Sequence, residues 1–306
     1  MTSSPFVSVV ITTLNRPVLV CRAVSDALGQ TYEHLETVVV VDGPDAATIE
    51  ALEKLNNPRL RILALAENVG LAEARNVGIR ACAGDWVAFL DDDDEWMKNK
   101  IETQIAALVE SDPAINFVAC RYEERNKDST RPLPREFPAA DLQWSEYMFR
   151  DGGVLLPSTF FVEKSLMLAV PFRKGMRYHE DADWLLRAKA SNAIHPAWVE
   201  DVLTIYHNEL EGQRLSTKTP WEGRYRWCKE NPELLTRMAF PYYIARLCVP
   251  YARHSAAPIR SCAFLLLAAL RSGGVNFRSA AYLFLALFTG PEWRRKLRRN
   301  VLRPGQ

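Results

Sequence analysis

Short apolar runs alternate with segments of helical spacing throughout the first 90 residues of the chain. The runs VSVVIT, TVVVV, LRILAL and WVAFL occupy residues 7–12, 37–41, 60–65 and 86–90. Between them, residues 18–28, 46–55 and 71–81 carry apolar side chains at helical spacing. Continuous apolar strands that alternate with helices predict a parallel α/β sheet, and ligands of such sheets bind beyond the carboxyl ends of the strands.

Each predicted strand is followed by a polar segment. In chain order these segments are TTLNRP, DGPD, ENVGLAEARN and DDDDEW. One such segment alone indicates only a turn, because Asn, Asp, Gly and Pro are turn residues. Four in succession at one edge favour a binding site. The GxGxxG pattern and the Walker-type lysine loop are both absent, so dehydrogenases and P-loop proteins lose their main sequence support.

The run of Asp91 to Asp94, followed by Glu95, has two interpretations. It is either a solvated turn that leads into a helix, or a cation site built from oxygen ligands. Residues two apart project alike in an extended chain, so Asp91 and Asp93 are expected on one side and Asp92 on the other. Asp94 and Glu95 suit the first turn of a helix that begins near Trp96.

Composition narrows the classes of protein that the chain can belong to. Its 306 residues include 38 basic and 37 acidic side chains, which argues against a nucleic-acid binder. Six cysteines without a CxxC pair or zinc spacing predict reduced thiols in a cytosolic compartment. The first residues lack the pattern of a secretory signal, so export is not expected.

Five ordered motifs resemble the family 2 glycosyltransferases, which are inverting enzymes of the GT-A fold. They are VSVVITTLNRP, VVVVDG, NVGLAEARNVGI, WVAFLDDDDEW and HEDADWLLRA, and the resemblance covers roughly residues 5–216. It implies a GT-A-type, mainly parallel sheet flanked by helices, with a nucleotide sugar bound at the carboxyl edge. The family often has two acids before the glycine of the second motif. Here Val41 precedes Asp42 and Pro44 replaces the usual serine, a departure that concerns base recognition.

The resemblance also implies a divalent cation, Mn²⁺ or Mg²⁺, on the donor diphosphate. Asp93 is the expected metal ligand, with Asp91 and Asp92 placed to meet the ribose, the metal or its waters. Asp42 is expected to accept a hydrogen bond from a uracil-type ring, and UDP- or dTDP-linked donors follow from this. The expected donor-binding residues are Thr12, Arg16, Asp42, Arg75, Asp91, Asp92 and Arg214. For Arg75, a surface helix arginine is an equal alternative.

A second acidic cluster lies in RYHEDADWLLRA, at residues 177–188. Its acids could cap a helix, and capping is compatible with catalysis. By resemblance, Asp181 is the general base and Glu180 binds or orients the acceptor, with Asp183 as the rival base. His207 is expected to contact the metal rather than to pack as an ordinary histidine. The loop at 208–219, which contains Arg214, suits a segment that orders over the donor.

The sequence predicts a catalytic domain over 1–219 and a helical, basic region over 220–306. The donor half is expected at about 1–122, the acceptor half at about 141–219, and an irregular insertion at 123–140.

Residues 251–306 hold ten basic side chains and one acid. Their two apolar runs, 262–270 and 280–288, are shorter than the ~20 residues that span a bilayer. They form either a hairpin packed on the catalytic domain or a surface that meets anionic lipid at the inner face of the cell membrane.

We therefore expect an inverting glycosyltransferase that moves a sugar to a glycan or a lipid-linked saccharide by metal-assisted single displacement. The alternative of a different class is a non-catalytic sugar-nucleotide or membrane-binding module on the same fold. A nucleotidyltransferase is a weaker alternative, since it would require a Gly- and Lys-rich loop after the first strand.

Overall fold

The computed structural model describes residues 4–109, 112–127, 129–208 and 220–288. The chain divides into two compact units. The first contains Met1–Phe137 and Val154–Ser216, and the second contains Pro138–Gly153 and Thr217–Gln306. The second unit therefore takes a segment from the middle of the chain. Residues from about 141 onward were expected in the acceptor half.

The first unit is built from alternating strands and helices. Its strands are β1 (Val7–Thr13), β2 (Leu35–Val41), β3 (Leu60–Ala64), β4 (Trp86–Phe89), β5 (Glu95–Trp96), β6 (Phe117–Asn126), β7 (Ser129–Leu133), β8 (Phe160–Glu163) and β9 (Pro196–His207). Its α-helices are α1 (Pro17–Leu28), α2 (Ala46–Glu53), α3 (Leu71–Ala81), α4 (Lys100–Val109), α5 (Lys164–Ala169) and α6 (Glu180–Ala190). A 3₁₀ turn, Pro157–Thr159, precedes β8.

In the described part of the chain, nine strands form one sheet in the order β3-β2-β1-β4-β8-β6-β9-β5, with β7 paired to β6. The first four strands pair in parallel, as predicted, and their observed ends lie within two residues of the expected ones. The second half adds antiparallel pairs, because β8 runs antiparallel to both β4 and β6. The carboxyl ends of β1, β2 and β4 meet at one edge.

Local chemistry explains the first elements. Every residue of β1 and β2 is buried, which fits strands that are covered on both faces. Pro17 begins α1, where its missing N–H costs nothing, and the Asp45 side chain caps α2 by accepting from Thr48 N at 3.1 Å. A Cβ at Gly78 of α3 would lie 2.7 Å from Val10 Cγ1. Glycine therefore lets α3 lie directly against β1.

The predicted helix near Trp96 is wrong. Glu95 and Trp96 form β5, which pairs antiparallel with β9 through Glu95↔Ile205 and Trp96↔Thr204, and α4 begins only at Lys100. The partner strand lies more than a hundred residues away, so local acidic composition could not indicate the pairing.

The predicted irregular insertion at 123–140 is also partly wrong. β6 extends to Asn126, and β7 pairs with it antiparallel from Asn126↔Ser129 to Tyr122↔Leu133. The strand accommodates Pro132 because β7 pairs on one side only, and an edge strand leaves some backbone N–H positions without a ladder bond.

The second unit is helical, which confirms the expected C-terminal extension. It comprises a π-helical segment Glu146–Asp151, α7 (Trp221–Glu230), a 3₁₀ turn Pro232–Leu234, α8 (Ala239–Tyr243), a π-helical segment Ile244–Cys248, α9 (Val249–Ala252), α10 (Pro258–Arg271) and α11 (Phe277–Phe288). Tyr243 lies in the core of this unit, with Trp227 stacked on its ring and Phe149 packed edge to face against it.

Among the described residues, no helix has the length and apolarity needed to cross a membrane. All six cysteines are free thiols, as expected.

Candidate active site

The acidic loop (Asp91–Asp94) follows β4 and is held by two hydrogen bonds to the Ser158 hydroxyl. The backbone N–H of Asp91 donates to Ser158 Oγ at 3.1 Å, and that hydroxyl donates to Asp94 Oδ2 at 2.5 Å. Asp94 and Ser158 are both buried. Asp94 is therefore a structural anchor of the loop.

Arg16 and Thr13, at the end of β1, hold the next two acids. Thr13 Oγ1 donates to Asp92 Oδ2 at 2.7 Å, and Arg16 Nη1 donates to Asp92 Oδ1 at 2.8 Å and to Asp93 Oδ2 at 3.2 Å. Burial raises the pKa of Asp92 to about 6, although Arg16 opposes this shift. The expected alternation of Asp91 and Asp93 against Asp92 is wrong, because the segment turns here and Asp92 and Asp93 share Arg16.

Arg75, on α3, joins the acidic loop to the second acidic cluster. Its side chain is 2% exposed, and it donates from Nη2 to Asp91 Oδ1 at 2.6 Å and from Nη1 to Glu180 Oε1 at 2.7 Å. Burial disfavours the charge of Arg75, but the two carboxylates raise its pKa above the ordinary value. The alternative of a surface arginine is wrong. Two carboxylates, Asp91 and Glu180, thus meet at one buried cation.

Helix α6 begins with the acid pair Glu180 and Asp181. Asp181 is half-buried, and its Oδ1 accepts from the backbone N–H of Ala182 at 2.7 Å. Burial and the neighbouring charge of Glu180 raise the pKa of Asp181 to about 7. Such a carboxyl can exchange a proton near neutral pH.

Asp183 has a different environment from Asp181. It is fully buried, and its carboxylate accepts from Arg187 Nε at 2.7 Å and pairs with Arg173 Nη1 at 3.3 Å. Two arginines therefore hold the rival carboxylate in place as an ion-pair partner.

The loops after β1 and β2 carry the other predicted donor-binding residues. Thr12 is buried near the end of β1. Asp42 accepts from the backbone N–H groups of Val69 and Gly70 at 2.8 and 3.0 Å. Gly70 has a φ of +86°, a conformation that glycine adopts without strain, at the residue that precedes α3. Asp42 thus fixes the segment that leads to Arg75.

His207, the predicted third metal residue, ends β9. Its Nε2 lies 2.7 Å from Glu95 Oε1, and Arg22 Nη1 pairs with the same carboxylate at 3.1 Å. Arg214 lies outside the described residues. Within the described ranges, no three His, Cys, Asp or Glu side chains are grouped so that they could hold a metal ion by themselves.

Two residues that shape the site, Ser158 and Arg22, were not expected from the sequence. Ser158 accepts from the Asp91 backbone, and its own carbonyl accepts from Trp96 Nε1 at 2.7 Å and Thr204 Oγ1 at 3.0 Å. Arg22 Nη2 donates to the carbonyl of Asp93 at 3.0 Å. Neither residue stands in a motif. The only local signal was the position of Ser158 within residues 141–219, the range expected to form the acceptor half.

Comparison with known proteins assigns the chain to a family. The profile of "Glycosyl transferase family 2" matches residues 8–168. A relative from Escherichia coli, "UDP-Glc:alpha-D-GlcNAc-diphosphoundecaprenol beta-1,3-glucosyltransferase WfgD", is 31% identical over 123 residues. That alignment covers 40% of this chain and 48% of WfgD, so the chain matches about half the length of this relative.

Two solved structures resemble the fold. S. aureus TarS 1–349 in complex with UDP-GlcNAc superimposes with a TM-score of 0.58 at 17% identity, covering 92% of this chain and 79% of TarS. The mannosyltransferase PcManGT from Pyrobaculum calidifontis, in complex with GDP-Man and Mn²⁺, gives a TM-score of 0.55 at 17% identity, covering 98% of this chain and 80% of PcManGT. These similarities confirm the predicted GT-A-type fold. With the family profile matching more than half of its residues, the chain is a glycosyltransferase enzyme that belongs to glycosyl transferase family 2.

Proposed function

We propose that the protein transfers a sugar from a nucleotide-sugar donor to a saccharide acceptor with inversion, in a single displacement. The observation that carries this proposal is the Arg75 bridge, which links Asp91 of the acidic loop to Glu180 of the acid pair. Asp91, proposed to bind the donor, and Glu180, proposed to bind the acceptor, therefore pair with the same guanidinium. A module that only binds nucleotide sugars would not need a carboxyl of raised pKa beside such a bridge.

The donor is proposed to lie over the edge formed by β1, β2 and β4. The two structural neighbours were solved with UDP-GlcNAc and with GDP-Man, so a nucleotide sugar suits the fold. Asp42, Thr12 and Arg16 stand at this edge, and a UDP- or dTDP-linked donor is our proposal for the base. Arg214 is proposed to meet the diphosphate from the segment after β9.

A divalent cation, Mn²⁺ or Mg²⁺, fits the two carboxylates of the acidic loop that remain partly exposed to solvent. The side chains of Asp91 and Asp93 are 30% and 18% exposed, whereas Asp92 and Asp94 are buried against hydrogen-bond donors. Cations of this type commonly use one or two carboxylates together with substrate phosphates, so three protein ligands are unnecessary. Mn²⁺ accompanies GDP-Man in PcManGT.

Asp93 is the proposed principal ligand, with Asp91 beside it. His207 could join only by exchanging its contact with Glu95. A bound cation would stabilise the negative charge that develops on the departing diphosphate. Asp93→Ala should therefore lose metal-dependent donor binding. Normal nucleotide-sugar affinity with normal metal dependence would reject Asp93 as a ligand.

Asp181 is proposed as the general base. Its raised pKa suits proton transfer near neutral pH, and as the acceptor attacks, its hydroxyl proton would pass to the Asp181 carboxylate. Glu180 would orient the acceptor while Arg75 holds it in place. Asp183 is already paired with two arginines, which favours Asp181 over its rival.

The acceptor is proposed to be a glycan or a lipid-linked saccharide of polysaccharide biosynthesis. The name of WfgD states a diphosphoundecaprenol-linked acceptor for that relative. We propose the same class of acceptor for this protein, as a cytoplasmic enzyme that binds the inner face of the membrane through its basic C-terminal region. Deleting Pro291–Gln306, which lies outside the described residues, should weaken binding to anionic vesicles and spare donor binding.

Asp181→Asn and Asp183→Asn test the proposed function together. The amide oxygen introduced by Asp181→Asn can still accept from Ala182 N, so α6 should form, but the amide cannot take the acceptor's proton. We expect transfer to fall by ~10²–10⁴-fold in Asp181→Asn with donor and metal affinity unchanged. Normal transfer in Asp181→Asn beside an inactive but folded Asp183→Asn would reassign the base. Normal transfer in both would make the acid pair structural.

A further inference from the structure

A cavity of about 340 Å³ lies within the C-terminal unit, lined by residues of α7, α8 and α10. Tyr225 and Lys229 line it from α7, four positions apart and so on one helix face. Phe264, Leu267 and Arg271 line it from α10 at helical spacing, and Phe240 lines it from α8. Tyr225 and Phe264 meet edge to face, with ring centroids 5.1 Å apart. The cavity therefore combines an aromatic wall with two cations.

The charged side chains that line this cavity are both positive. Lys229 and Arg271 are exposed, and neither makes an ion pair with another described residue. No carboxylate is among the described residues that line the cavity, although α7 also carries Glu222 and Glu230. From Val249 to Phe288 the chain contains four arginines and neither Asp nor Glu. This charge complements an anion.

Large apolar side chains are exposed on α10, which lines the cavity, and on α11. On α10, Leu267 is 51% and Leu270 59% exposed, and Phe264 and Leu267 belong both to the cavity wall and to the exposed surface. On α11, Phe277, Phe284 and Phe288 are more than half exposed. Exposed large apolar side chains are a feature of interaction sites, and the cations of the cavity favour a membrane, which is apolar inside and anionic at its surface.

We propose that the C-terminal unit holds a headgroup site for an anionic phospholipid. The phosphate would lie between Lys229 and Arg271, the first acyl carbons would contact Phe264 and Leu267, and Leu270 would enter the apolar layer. α10 and α11 then lie on the bilayer without crossing it, which agrees with their 14 and 12 residues. The inference rests on the proposed function in that a lipid-linked acceptor would bring the enzyme to the same surface.

The first test removes the two cavity cations from the full chain. Lys229→Gln/Arg271→Gln is compared with Arg226→Gln/Arg237→Gln, which removes two exposed cations that do not line the cavity. Binding is measured by co-sedimentation with phosphatidylcholine vesicles with and without phosphatidylglycerol. Each cation at a membrane contributes about fivefold in affinity, so the cavity pair should lose roughly 25-fold and the control pair much less. Equal losses would show general charge attraction and would overturn the headgroup site.

The second test removes exposed apolar surface. Leu267→Ser/Leu270→Ser should weaken binding to phosphatidylglycerol vesicles, whereas Leu168→Ser, half exposed on α5 of the first unit, should not. Light scattering of both variants addresses a second copy of the chain as the occupant. A dimer that dissociates in the α10 variant, with vesicle binding intact, would overturn the proposal.

A third measurement separates lipid from free phosphate. Inorganic phosphate, matched in ionic strength with chloride, should not displace the protein from vesicles. Displacement by phosphate alone would assign the two cations to a soluble anion and overturn the lipid site.

Donor binding separates this inference from the proposed function. All these variants should keep wild-type nucleotide-sugar affinity and wild-type transfer to a soluble saccharide. Vesicle binding that behaves as expected in a protein without donor binding would refute the proposed function and leave the lipid site standing. The reverse pattern would refute only the lipid site.

Discussion

At the scale of single residues, the site depends on how buried charges act on one another. Asp181 lies beside Glu180 at the start of α6, and burial together with that neighbour raises its pKa to about 7. Arg75 acts in the opposite direction, since its positive charge favours the ionised form of Asp181. Rate and stability should therefore respond to changes in residues next to the proposed base.

Glu180→Gln should move the pH dependence of transfer to lower pH. Only ionised Asp181 can take the acceptor's proton, so the wild-type rate should rise with pH and level off above about 7. Removing the charge of Glu180 lowers the pKa of Asp181, while the amide oxygen can still accept from Arg75. The measurement is kcat against pH. Glu102→Gln, at an exposed position of α4, is the control, and an unmoved acid limb in Glu180→Gln would contradict the assignment of Asp181.

Arg75→Met should destabilise the fold by about 3–5 kcal/mol, because it leaves Asp91 and Glu180 without their shared buried cation. Arg80→Met, on the same helix, removes an exposed pair with Glu73 and should cost about 0–1 kcal/mol. Urea unfolding of both variants checks the difference. Equal costs would show that the bridge does not organise the site.

At the scale of elements, the acidic loop is fixed by the turn that precedes β8. The hydroxyl of Ser158 contacts Asp91 N and Asp94 Oδ2, and its carbonyl accepts from Trp96 of β5 and Thr204 of β9. Four parts of the chain are thus held at one buried residue.

Ser158→Ala should destabilise the protein by about 1–3 kcal/mol, since the buried Asp94 carboxylate loses a donor. Donor affinity should fall as well, because the loop that carries Asp93 loses its anchor. Ser165→Ala removes an exposed hydroxyl that donates to Glu163 among the described residues, and it should change stability by less than about 0.5 kcal/mol. Thermal unfolding and nucleotide-sugar titration measure both effects. A wild-type donor affinity in Ser158→Ala would show that the anchor is dispensable.

At the scale of the whole molecule, the second unit is assembled from two parts of the chain. Trp144, Tyr147 and Phe149 are buried, and Phe149 meets Tyr243 with ring centroids 5.0 Å apart. Thr236 Oγ1 donates to Glu146 Oε1 at 2.9 Å, and Arg246 Nη2 donates to the carbonyl of Arg150 at 3.0 Å. The middle segment depends on the C-terminal helices for its partners.

A chain that ends at Ser216 should therefore aggregate instead of giving an isolated catalytic domain. It would expose Trp144, Tyr147 and Phe149, which the C-terminal helices cover. Size-exclusion chromatography and near-ultraviolet circular dichroism measure the outcome. A chain that ends at Phe288 is the control and should remain folded. A monodisperse Ser216 truncation with wild-type donor affinity would show that the segment does not need those helices.

The parallel half of the sheet, the helices between its strands and the edge at which the acidic loop emerges could all be predicted from sequence patterns. The continuous apolar runs of β1 and β2 and the helical spacing of apolar residues in α1 and α3 each involve only neighbouring residues, because burial of an element sets its own pattern. The acidic loop and the Glu180–Asp181 pair could be found for a related reason, since their motifs are contiguous in the chain.

Contacts between residues that are distant along the chain could not be predicted in this way. Arg75 and Glu180 are 105 positions apart, and no local pattern marks one as the partner of the other. The same holds for β5 on β9, for Ser158 beneath the acidic loop, and for Pro138–Gly153 among the C-terminal helices. Hydrogen bonds and ion pairs act over a few ångströms, so their partners are set by the path of the folded chain and not by spacing along the sequence.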